Sequence, residues 1–160
     1  MPADDPSKSV IRIPNQSDGS IKFVWVGSLD GDGENDFVLD RQTTRQALEA
    51  YHSDGTLFWE VNMGLNCKSQ DNILPGSAIV HGINWEGVTV YDFDSDGYAK
   101  VALLIANDVT IGNGKTFSQG SNDTEQFIAI LYGQTGVLRG SAQVPTDYIS
   151  DGPLGLKSFT

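Results

Sequence analysis

The chain has 160 residues, a length suited to one domain, and its 39% hydrophobic residues and 18 glycines, without long Leu/Ala/Glu/Lys runs, favour strands and turns over helices. Its 21 Asp and Glu against 10 Lys and Arg give a net charge of −11, which repels nucleic acid and anionic membrane and argues against both as partners. Cys67 is the only cysteine, so no disulfide closes within the chain, and no apolar run approaches the length of a membrane span.

The start, Met1 to Ser9, is acidic and polar and does not read as a signal peptide. A first unit opens with the apolar strand Phe23–Val26. The loop Gly27–Asp36 follows, rich in Asp and Gly, and then the strand Phe37–Leu39. Thr44 to Tyr51 offers the one stretch that could start a helix, and it is too short to be convincing. Gln46–Tyr51 reads better as a strand, because the turn Ser53-Asp54-Gly55 joins it to an apolar run from Thr56 to Val61, and Asp-Gly between two such runs signals a hairpin.

The second unit repeats this order. Gly87–Tyr91 is its first strand, Asp92–Lys100 its Asp-rich loop and Val101–Ala106 its second strand. Asn107 to Glu125 is polar and Gly-rich, longer than its counterpart, and reads as an inserted loop. Phe127–Tyr132, the turn Gly133–Gly136 and Val137–Val144 complete the unit. The two repeats span about 22–64 and 87–145 of a single domain covering 1–160. Four strands with a metal loop between the first two describe a propeller blade. The expected fold is therefore all-β: two four-stranded antiparallel blades with Asp-rich calcium loops, part of a larger β-propeller. The alternative is a stand-alone sandwich of two small sheets.

Calcium takes six to eight oxygens, and side chains at alternate loop positions converge on one ion. Positions one, three, five and nine of the first loop are Ser28, Asp30, Asp32 and Asp36, with the Glu34 carbonyl at position seven. In the second loop they are Asp92, Asp94, Asp96 and Lys100, with the Tyr98 carbonyl at seven. Gly33 and Gly97 sit at position six, where the chain turns sharply. The bidentate Glu of an EF-hand is replaced by Leu39 and Leu103, and a strand follows each loop rather than a helix. Lys100 stands where an acid is usual and cannot ligate; its pairing with a loop Asp would weaken or replace the ion, and Asp92, Asp94, Asp96 and the Tyr98 carbonyl remain the expected ligands. An Asx-turn network without metal is the competing reading of both loops.

Val26 to Glu34, then Ala50-Tyr51 and Asp54 to Trp59, resemble the rhamnogalacturonan lyases of polysaccharide lyase family 11. So do Val90 to Val101, and Thr135 to Leu138 followed by Val144-Pro145, in the same order. The resemblance runs from about Phe23 to Tyr148. It implies a calcium-bearing propeller that cleaves the rhamnogalacturonan backbone of pectin by β-elimination, of which this chain covers a fraction of the ring, and it implies a secreted, extracellular protein. The pattern departs from the family between Asn66 and Tyr91.

Uronate β-elimination needs a cation to neutralise the carboxylate beside the acidic C–H, and a base to take the proton. His81 is the candidate base, since imidazole titrates near neutrality, and Lys68 is the second candidate; Arg41, Arg45 and Lys115 are further cations. A hydrogen-bonded structural histidine is the plainer reading of His81, and His52 beside a hairpin turn reads as exposed. Trp25, Trp59 and Trp85 read as blade core before sugar-stacking face. Gly114-Lys115-Thr116 lacks the upstream glycine of a P-loop, and Cys67 lacks a partner motif. The rival class is a non-catalytic calcium-binding propeller of the integrin-repeat kind, binding carbohydrate or protein.

Overall fold

The computed structural model describes residues 11–13, 20–42, 46–65, 67 and 88–145. Eight strands and no helix are found among them. Strands β1 (Ser20–Gly27), β2 (Asp36–Gln42), β3 (Gln46–Tyr51) and β4 (Leu57–Asn62) form one antiparallel meander in chain order. Strands β5 (Thr89–Tyr91), β6 (Lys100–Ile105), β7 (Phe127–Tyr132) and β8 (Leu138–Gln143) form a second. The expected strand at Gln46–Tyr51 is present, and the helix considered there is not.

Alternation explains the packing. Side chains two apart share a face, so Trp25, Val38, Leu48, Ala50, Trp59 and Val61 point one way from the first sheet. Val90, Val101, Leu103, Ile105, Phe127, Ala129 and Leu131 point one way from the second. These two sets meet in a single apolar cluster. Trp59 closes the seam between them: its indole Nε1 donates to the Gly133 carbonyl at 2.6 Å. The ring lies so close over Gly136 that a Cβ there would meet its Cδ2 at 2.7 Å. Trp59 is thus core, and Trp25 packs against the core in part; Trp85 lies outside the described residues.

The segment 107–125, expected to be a polar inserted loop, contributes to this core. Val109, Ile111 and Phe117 are buried in the shared cluster, and Phe117 meets Phe127 edge-on with centroids 5.1 Å apart. Asn62 and Thr110 exchange two backbone hydrogen bonds of 2.9 Å, which ties the segment to the first sheet. Polar residues and glycine dominate its composition, but its few apolar residues all fold inward. Gly114, at φ 77°, turns the chain within it, and Gly114 N–H donates to the Ile111 carbonyl. Cys67 is buried, and burial pushes its thiol up to about 12, which removes it as a nucleophile.

The opposite faces differ. In the first sheet all six residues of β3 are buried, so both faces of that strand are covered. The face turned from the shared core holds Leu39, Arg41, Glu49 and Tyr51, all buried. In the second sheet the corresponding face is open: Tyr91 is 64% exposed, Ile128 52% and Tyr132 47%.

Candidate metal centre

Both Asp-rich loops lie at the same end of their sheets, each linking a sheet's first strand to its second. Their backbones follow one plan. Position four takes a left-handed conformation in both, at Gly31 (φ 78°) and Ser95 (φ 58°), and so does position six, at Gly33 (φ 87°) and Gly97 (φ 90°). Only position six was legible as a turn glycine, because Ser95 carries no glycine signal at position four. The loops also touch. Ala99 N–H donates to the Ser28 carbonyl at 2.7 Å. The Tyr98 ring covers Gly31, where a Cβ would lie 2.8 Å from Cε1.

In the first loop the candidate oxygens are engaged with the loop's own backbone. Ser28 Oγ accepts from Gly33 N–H, Asp30 Oδ1 from Asp32 N–H at 3.1 Å, and Asp32 Oδ1 from Glu34 N–H at 2.7 Å. Asp36 is buried; its two oxygens accept from Leu29 N–H at 2.7 Å and Ser53 N–H at 3.1 Å. Burial raises the Asp36 pKa, and the charges of Asp30 and Asp32 add to the rise while the two backbone bonds oppose it. Among the described residues, the only basic group within salt-bridge reach of these carboxylates is His52, with Nδ1 3.5 Å from Asp30 Oδ2. That imidazole stacks on Phe58 with centroids 3.4 Å apart. Each carboxylate oxygen keeps lone pairs beyond those given to backbone N–H. Among the described residues, the carboxylates of this loop do not gather into a group of three close enough to share one ion.

The second loop is the more tightly gathered. One oxygen from each of Asp92, Asp94 and Asp96 lies within 4.8 Å of the others, close enough to share a metal ion. Asp92 also accepts from Asp96 N–H and Gly97 N–H, and Asp96 from Tyr98 N–H. Lys100 Nζ reaches into this group, hydrogen-bonded to Asp94 Oδ1 and Asp96 Oδ1 and 3.5 Å from Asp92 Oδ1. Arg139, from β8, donates to Asp94 Oδ2 at 2.7 Å. The hydrogen bond from Lys100, and then that from Arg139, lowers the Asp94 pKa to about 2. Burial works against the Lys100 ammonium, yet its bonds to Asp94 and Asp96 outweigh that and raise its pKa. Arg139 could not be picked out from the sequence, since only the meander brings β8 back beside the loop.

The candidate catalytic residues His81 and Lys68 lie outside the described residues, as does Arg45. Arg41 is buried against Glu49 and is no exposed substrate-facing cation.

With this geometry in place, comparison with known proteins adds a family. Residues 4–140 match the model described as rhamnogalacturonan lyase family 11, C-terminal domain. The chain is similar to rhamnogalacturonan exolyase YesX of Bacillus subtilis (strain 168), 27% identical over 133 residues, covering 69% of this chain and 20% of that protein. It is also similar to rhamnogalacturonan endolyase YesW of the same strain, 25% identical over 158 residues, covering 85% of this chain and 24% of that protein. The solved structure of exotype rhamnogalacturonan lyase YesX superposes with a TM-score of 0.63 at 25% identity, over 86% of this chain and 25% of that one. The chain thus spans about a fifth to a quarter of the length of these relatives.

Proposed function

The chain belongs to rhamnogalacturonan lyase family 11, and from that premise we propose that it is part of a secreted lyase that cleaves the rhamnogalacturonan backbone of pectin by β-elimination. The family match over residues 4–140 is the observation that carries this reading. The two sheets are read as neighbouring blades of a β-propeller, and the open face around Tyr91, Ile128 and Tyr132 as the face that receives the next blade. An exposed apolar face of this kind favours a partner surface over water.

Calcium is assigned to the first loop, through Ser28, Asp30, Asp32, Asp36 and the Glu34 carbonyl. When bound, calcium supplies charge to offset these carboxylates and cross-links the loop. The loop's own donors hold the backbone in the turned shape that presents those oxygens. In the elimination, a base takes the proton beside the uronate carboxylate. The C–H electron pair becomes the new C=C bond, the glycosidic C–O bond breaks, and the leaving oxygen is protonated. His81 is assigned as the base and Lys68 as the cation that neutralises the carboxylate.

The product is an unsaturated uronate that absorbs in the ultraviolet, so the full-length protein is assayed with rhamnogalacturonan and calcium, with and without chelator. Release of that chromophore is expected. No unsaturated product from rhamnogalacturonan or related uronate glycans would replace this reading with a non-catalytic binding module. Activity that is untouched by His81→Ala would leave the lyase standing and return His81 to a structural role.

A further inference from the structure

The family resemblance implies a metal in the second loop, and the residues that fill this loop do not fit one. Lys100 opens β6 opposite Tyr91, the register position that Asp36 holds opposite Gly27 in the first sheet. One loop therefore has a carboxylate where the other has an ammonium. The Lys100 side chain is 2% exposed, and its Nζ sits among the three carboxylates with Asp94 and Asp96 as acceptors. Arg139 approaches Asp94 from the other side.

We propose that the second loop carries its cation covalently: Lys100 and Arg139 together take the place of a divalent metal ion, and the loop folds without one. Two unit charges set against three carboxylates leave the same balance that one divalent ion would leave. An ammonium has three N–H donors and no further coordination to offer, so the Tyr98 carbonyl is not needed. A calcium ion entering here would have to expel a buried ammonium or sit beside it, and like charges at that range repel strongly. The first loop has no such group among the described residues, so the two repeats divide into one metal-dependent loop and one self-sufficient loop.

The chain carrying Asp30→Asn and Asp32→Asn isolates the second loop by disabling the first. Titrated with calcium in a calorimeter, this background is expected to bind none. Adding Lys100→Glu is expected to create one site, at least about tenfold above any residual binding. Binding by the background that disappears with Asp94→Asn overturns the proposal, and so does a folded Lys100→Glu chain that takes up no calcium. Should Lys100→Glu fail to fold, Lys100→Gln is read the same way, with weaker binding expected and its absence again counting against the proposal. Hydrogen exchange of the Asp30→Asn/Asp32→Asn background gives a separate reading, because calcium in the first loop would otherwise reach Tyr98 through its contact with Gly31. Protection of the Gly97 and Tyr98 amides in that background is expected to be equal in chelator and in calcium, and a rise on adding calcium overturns the proposal. If the unmutated chain binds no calcium at all while Lys100→Glu does, the first-loop assignment falls and this one stands.

Discussion

Glu49→Gln is expected to destabilise the chain by about 3 kcal/mol, because the residue holds a buried ionic group together on the far face of the first sheet. Glu49 Oε1 accepts from Arg41 Nε at 2.7 Å, with both side chains 2% exposed, and Oε2 accepts from Tyr51 Oη at 2.6 Å. Hydrogen bonds to a charged group contribute about 1.5–3 kcal/mol each. The amide keeps the shape but removes the charge, which weakens both bonds and leaves the Arg41 charge without its carboxylate. With a urea m-value of roughly 2 kcal/mol/M, the unfolding midpoint, followed by tryptophan emission, is expected to fall by about 1.5 M. The companion variant Arg41→Met/Glu49→Leu/Tyr51→Phe removes both charges and the hydroxyl that would lose its acceptor, and it is expected to be less destabilised than Glu49→Gln, since an apolar group of similar volume avoids the desolvation cost. A Glu49→Gln chain within about 0.5 kcal/mol of the parent, or a companion variant as weak as the sum of its single changes, refutes this reasoning.

Ser95→Gly is expected to stabilise the chain by about 0.5–1 kcal/mol, because Ser95 holds a left-handed φ of 58° that glycine adopts freely; an unchanged melting temperature would argue that the serine hydroxyl compensates. Burial first, and then the bond to Glu49, raise the Tyr51 pKa to about 12. The fold therefore favours the protonated phenol, and the stability this gives is complete below pH 10 and lost between about 10 and about 12. Denaturation at stepped alkaline pH checks this, and Tyr51→Phe is expected to flatten the dependence. Asp36 is also raised, so in chelator its contribution is present below the ordinary carboxylate value and lost as pH rises through its elevated folded value. Calcium is expected to reverse that slope in thermal melts between pH 3 and 6, and parallel curves with and without calcium would count against the first-loop assignment.

The strand pattern was legible because each unit alternates clearly and its turns carry Asp-Gly or Gly-x-x-Gly. Gln46–Tyr51 and Phe127–Tyr132 have the same ends in sequence and structure. The first and second strands run longer than their apolar runs suggest; β1 begins at Ser20 because backbone pairing with β2 continues past the last apolar residue. The acidic loops were readable from spacing alone, and so was the conflict at Lys100. Its resolution was not, since it depends on Arg139 arriving from the last strand and on how deeply the ammonium is enclosed. The segment 107–125 misled because composition averages over a few inward-facing residues that decide its packing. The buried partnership of Arg41 and Glu49 was likewise invisible, as an alternating charged pair on a strand reads as a solvated face unless something covers it.

The seam at Trp59 makes the pair of repeats, rather than either one, the cooperative unit. Units in a repeat array are joined by nearest-neighbour terms, and here that term includes one indole that is anchored on Gly133 and packed over Gly136. Cutting the chain between the repeats would strand that ring and open the apolar cluster on both halves at once. The same ring is a built-in optical gauge: its emission is expected to shift red when the two sheets part. Any side chain placed at position 136 would act as a wedge under the indole, so a single methyl group there is enough to set the two repeats against each other.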